Sequence, residues 1–175
     1  MEAITHILTG IVIQIFCFIY LIFPFNLIFT MIFAFLSHYI IDALAKMTYH
    51  TPEAHPEDKV WVIWHILTPA LIVVLLVWLI IMNWILVLLF LIGAIFANLV
   101  DIIDWLVFRA ILKKDREVHY FLHDSIDFIR EKIPPFTWIP NWNQEYKGII
   151  IEAFIITIIW LTILFTLNFM PTNFL

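Results

Sequence analysis

Residues 61–82 read WVIWHILTPALIVVLLVWLIIM, a run without Asp, Glu, Lys or Arg. About 20 helical residues cross the ~30 Å hydrocarbon core of a bilayer. A helix satisfies its own backbone polar groups there, so a run of this length and purity predicts a transmembrane helix. Reading outward from it, four more apolar runs of similar length appear, at residues 5–23, 25–45, 84–105 and 148–169. Pro24 and Asn26 mark a turn between the first two, and Asn83 marks one after the quoted run. The polar stretch Lys46–Lys59, with Pro52 and Pro56, reads as a loop. Glu2 stands in front of the first run and no small-residue cleavage site follows it, so this run is expected to be a retained span rather than a secretory leader.

The composition agrees. Of 175 residues, 64% are hydrophobic and 13% charged, with mean hydropathy +1.03. A soluble domain of this size is about 25% charged and cannot bury so much apolar surface in one core. The net charge of −5 argues against a nucleic-acid-binding surface, and the lone Cys17 excludes an intramolecular disulfide. Between the fourth and fifth runs the chain becomes charged but keeps helical periodicity in Phe108, Ile111, Leu112, Val118, Phe121, Leu122, Ile126 and Ile129. The expected architecture is therefore all-α: one integral membrane domain of about five transmembrane helices plus an amphipathic helix over about 108–132. Pro134, Pro135 and Pro140 end that helix. Gly93, beside Ala94 and Ala97, permits close helix packing in the fourth span.

With five spans, the N-terminus, the 46–59 loop and the 109–147 segment fall on one side. All nine basic residues lie there, which makes that side cytoplasmic. All seven histidines lie on or near the same side. So do Asp42, Asp101 and Asp104, which follow directly on apolar stretches where ionisable groups are costly and usually functional. His38 and Asp42 are spaced i, i+4, Asp101 and Asp104 i, i+3, and His119, His123 and Asp127 continue the pattern. Each spacing places its members on one helix face. Imidazole and carboxylate presented in this way form a metal-ligand set. His38, Asp42, Asp101, Asp104, His119 and His123 are the principal candidates, joined by His6 and His65. Such N/O donors suit zinc, manganese or iron, with two or more ions accommodated. Asp124 and Asp127 are candidates for orienting a histidine or acting as general base. Lys113, Lys114 and Arg116 form a basic cluster suited to lipid headgroups.

At these residues the chain resembles a family. DIIDWLVFRAILKKDREVHYFLHDS (101–125), LSHYIIDAL (36–44) and THILTG (5–10) resemble motifs of the membrane-bound metal-dependent hydrolases. That family is in turn similar to the zinc-dependent phospholipases C and single-strand nucleases, all-helical proteins with His-x-x-x-Asp ligand helices. His38–Asp42 and His123–Asp127 match that pattern here. The resemblance implies a zinc-dependent hydrolase, with membrane lipid as its partner and a lipid phosphoester at the cytoplasmic face as its substrate. The residues leave three alternatives. A di-iron oxygenase is supported by the His119–His123 spacing but lacks adjacent histidine pairs. An accessory subunit of a larger membrane complex, or an oligomer, is compatible with the Phe-rich spans. An ion carrier would place acids in mid-span, where this chain has none.

Overall fold

The computed structural model describes residues 3–49, 57–113 and 121–168, without the side chains of 82–89, 105, 109, 121 and 123. Helix α1 (Ala3–Tyr20) is followed by α2 (Phe25–Leu44), which tightens into a 3-10 turn at Ala45–Met47. Then come α3 (Lys59–Ala97) and the short α4 (Leu99–Ile102), which passes into a π-helical stretch at Ile103–Ile111. Helix α5 (Phe121–Lys132), a 3-10 turn at Phe136–Trp138 and α6 (Lys147–Asn168) complete the chain. Among the described residues there is no strand. Four helical segments are long and apolar enough to cross a membrane: Ala3–Tyr20, Phe25–Met47, Lys59–Ile81 and Lys147–Leu167. A fifth arises if Phe90–Ala97 and Leu99–Phe108, which meet at 64°, count as one broken span.

Two expectations need correction. The fourth span is not one helix over 84–105. It breaks at Asn98, whose side-chain amide bonds the Ala94 carbonyl at 2.8 Å and ends α3. Nor does a single amphipathic helix run over 108–132. Helical geometry stops at Leu112, and Lys113 takes a left-handed φ of 48°. Residues 114–120 of that expected helix lie outside the described residues.

Helix α3 shows how the chain returns to its starting side. A straight helix of 39 residues would hold its ends about 58 Å apart. Yet Asp58, its N-cap, accepts a bond from Tyr49 just beyond α2, while Ala97, its last residue, accepts one from His38 within α2. The helical stretch therefore folds back on itself, although no loop interrupts it at Asn83. Leu75 and Leu79 from one limb and Phe90 from the other meet a single stripe of α1, formed by Ile4, Leu8, Ile11 and Ile15, with Ile163 of α6 completing the core. Gly10 of α1 and Gly93 of α3 make the closest approach. A Cβ on Gly10 would lie 2.2 Å from the Gly93 carbonyl oxygen.

The ends of α2, α3 and α6 are tied together at a polar boundary. The Asp58 carboxylate accepts from the Val60 amide (2.8 Å), the Tyr146 hydroxyl (3.2 Å) and the Tyr49 hydroxyl (3.4 Å). Partial desolvation opposes its ionisation, but the Val60 and Trp61 amides and the two hydroxyls hold it below the usual carboxylate range. The Tyr146 phenol is pushed up by the Asp58 charge, and the Tyr49 phenol by burial and then by Asp58. A carboxyl lowered by folding stabilises the fold above its unfolded value, and that contribution is lost as pH falls through the folded one. The melting temperature should therefore drop on acidification below about pH 4, and Asp58→Asn should flatten that drop. The same variant should bring phenolate absorbance of Tyr146 in at lower alkaline pH. An unchanged alkaline titration would remove Asp58 from this role.

Candidate metal centre

The start of α1 faces the end of α2 because Pro24 reverses the chain between them, which sets His6 against His38 and Asp42. Both imidazoles are fully buried, and their rings stack with centroids 4.4 Å apart. His6 Nε2 lies 3.0 Å from Asp42 Oδ1. His38 Nε2 lies 3.3 Å from Asp42 Oδ2 and 3.8 Å from Asp101 Oδ1. One donor atom from each of His6, His38 and Asp101 falls within 4.8 Å of the others.

Hydrogen bonding fixes which nitrogen does what. His38 Nδ1 is 2.9 Å from the Ala97 carbonyl, which only accepts, so Nδ1 carries the hydrogen and donates. In neutral His38 the lone pair then sits on Nε2 and faces two carboxylate oxygens. That arrangement is favourable only with a positive charge among them, either a proton or a metal cation. His6 uses Nε2–H to donate to Asp42, which leaves its Nδ1 lone pair buried; among the described residues that atom has no hydrogen-bond partner. A carboxylate behind an imidazole whose second nitrogen is open is the usual support for a metal-ligating histidine. The residues thus fit a divalent cation, with His6, His38 and Asp101 as donors, the Ala97 carbonyl orienting His38, and Asp42 orienting His6 while its other oxygen lies 3.3 Å from the His38 donor nitrogen.

The break at Asn98 contributes directly. It turns α4 by 64° from the end of α3 and presents the Ala97 carbonyl to His38 and the Asp101 carboxylate to the same imidazole. Asp104, on the π-helical stretch, is buried. Long π-helical segments are rare and concentrate at functional sites.

Of the sequence candidates, His6, His38, Asp42 and Asp101 are brought together here. His65 is not part of the group. Its Nδ1 donates to the Trp61 carbonyl at 2.8 Å and its ring stacks on the Trp61 indole. Asp124 is exposed on α5, and Asp127, also exposed, pairs with Arg130 at 3.4 Å. Lys113 is exposed after the π-helical stretch. His119, Lys114 and Arg116 and the side chain of His123 lie outside the described residues.

Three contributors have no signature in the sequence. Thr5, next to His6, donates to the fully buried Glu152 of α6 at 3.4 Å. Arg130 of α5 donates through Nε (2.9 Å) and Nη2 (2.5 Å) to the backbone carbonyl of Asp42. The Ala97 carbonyl is available only because the helix ends there. The partners are separated by 147, 88 and 59 residues, and no local spacing rule reaches that far. Glu152 itself is legible in the sequence, as a carboxyl just inside an apolar span on the charged side; its bond to Thr5 is not. Comparison with protein-family models, with curated proteins and with solved structures finds no match for this chain.

Proposed function

We propose that the chain is an integral membrane metallohydrolase whose centre, at the cytoplasmic boundary of the bilayer, acts on a lipid-linked phosphoester. The observation that carries this reading is the group of buried His6 and His38 with half-buried Asp101, the Ala97 carbonyl behind His38 and Asp42 behind His6. Two nitrogens and one oxygen from the protein, with a coordination position left open, are the donor set of catalytic zinc sites. Manganese and iron also accept such donors. When bound, the cation supplies a Lewis acid and a water of lowered pKa. His6, His38 and Asp101 hold it. The Ala97 carbonyl keeps His38 Nε2 turned inward, and Asp42 does the same for His6 Nδ1. The orientation follows from the nine basic residues, which gather on the side where the centre lies. Substrate class follows from place and from the motif resemblance. A group at this depth meets phosphate headgroups first, and Lys113 adds an exposed cation nearby in sequence to Asp101 and Asp104. The general-base role is not carried to Asp124 or Asp127, both of which lie on the exposed face of α5.

The test is elemental analysis of the full chain, purified in detergent without chelator, followed by assay on vesicles containing phosphatidic acid and phosphatidylglycerol. About one equivalent of zinc, manganese or iron per chain is expected. Release of phosphate or headgroup should be abolished by chelation and restored by the metal. Protein that retains no metal and regains none on dialysis against zinc would overturn the reading.

A further inference from the structure

Asp42 sits in the last turn of α2, where its carbonyl accepts from the Ala45 N–H as the helix tightens into the 3-10 turn. Its carboxylate spans two buried imidazoles, at 3.0 and 3.3 Å. That geometry depends on where the Asp42 backbone is held, and a bond from another helix holds it further. Arg130 of α5 points two donors of its guanidinium at the Asp42 carbonyl, and the remaining Nη1 is steadied by Asp127 one turn back. Charge-assisted bonds of this kind are roughly twice as strong as neutral ones, and a cation at a helix C-terminus also meets the favourable end of the dipole. Ile126 of α5 is buried, while Phe128 and Asp124 beside it are exposed. Among the described residues α5 is held by buried Ile126, half-buried Leu122 and Ile129 and the Arg130 fork, and the fork ends on the residue that orients His6.

We propose that Arg130 is a positioning residue for the His6–His38–Asp101 centre, acting through the backbone of Asp42. This rests on the metal centre proposed above. It has a reciprocal consequence. If docking of α5 tightens the centre, then occupation of the centre tightens α5 by the same factor.

The test is titration of the full-length, detergent-solubilised protein with Co²⁺, followed by its visible absorption. Arg130→Gln should weaken Co²⁺ binding by about tenfold, the lower end of what supporting partners contribute. Arg130→Lys, which keeps the charge but has no fork, should fall between that variant and the unmodified protein. Tyr146→Phe, which loosens the same end of the bundle away from Arg130, should bind Co²⁺ normally. A spin label at Phe128→Cys should lose mobility on adding Co²⁺, and should not do so in the Arg130→Gln background. If Arg130→Gln binds Co²⁺ as tightly as the unmodified protein, or if Tyr146→Phe weakens binding equally, the positioning role is overturned and the metal centre stands. If the unmodified protein binds no Co²⁺, both fall.

Discussion

His38→Ala is expected to abolish stoichiometric metal binding, while Asp42→Asn weakens it and His65→Ala leaves it unchanged. The order follows from geometry. His38 offers Nε2 directly to the group that includes His6 and Asp101. Removing it takes away one of three protein donors and also leaves the Ala97 carbonyl without its imidazole partner. Asp42 acts from behind His6, and outer-shell carboxylates of this kind typically contribute about 10–100-fold in affinity. Its amide replacement can still accept from His6 but no longer places a full negative charge beside both rings. His65, stacked on Trp61 and donating to the Trp61 carbonyl, faces a different neighbour. Co²⁺ titrations of the three variants, with far-UV circular dichroism to confirm retained helicity, give the ranking. Equal losses in His38→Ala and His65→Ala would mean that the histidines bind adventitiously at the boundary. Unchanged binding in His38→Ala would remove the centre altogether.

What the sequence made legible, and what it hid, divides along sequence distance. Membrane-spanning helices were legible because each apolar run is long enough to be read on its own. The gathering of His6, His38, Asp42 and Asp101 at one end was legible because hairpin-connected spans alternate in direction, so charges at alternate boundaries share a side. The i, i+4 pair His38–Asp42 is realised as read, with Nε2 and Oδ2 at 3.3 Å. Its role differs, since Asp42 reaches across to His6 as well and orients that ring. The break at Asn98 was hidden. Asn in an apolar run has no fixed meaning, and the bend depends on what packs against it. The helical period over 108–132 is interrupted at Lys113, whose left-handed φ of 48° no apolar spacing announces, and residues 114–120 lie outside the described residues. Arg130 looked like one more cation of the cytoplasmic surface. Nothing local distinguishes a lysine or arginine that faces headgroups from one that caps a helix 88 residues away.

The Gly10–Gly93 contact was half-legible, through Gly93, Ala94 and Ala97, and it carries the second large effect. Gly10→Ala should destabilise the protein and damage the metal centre together. An added Cβ would meet the Gly93 carbonyl oxygen at 2.2 Å, its carbon at 2.5 Å and the Ala97 Cβ at 2.9 Å. Two of these are backbone atoms, which have no rotamer to move into, so α1 and the returning limb of α3 must separate. Overpacking a well-packed site costs about 1–3 kcal/mol, and a clash with fixed backbone belongs at the upper end. For a chain of this length that corresponds to a fall of about 6–12 °C in melting temperature. The separation also pulls Gly93 N–H from Gln14 Oε1, now 2.8 Å away, and shifts Ala97, whose carbonyl holds His38 at 2.9 Å. Metal affinity should therefore fall with stability, although Gly10 lies a full helical turn from His6 and touches no ligand. Val77→Ile, which adds one carbon at an exposed position of α3, should change neither quantity. A Gly10→Ala protein that melts with the unmodified chain would mean the two helices are not in contact there. One that melts early but binds Co²⁺ normally would separate the helix crossing from the centre, and would show that His38 keeps its tautomer without the Ala97 carbonyl.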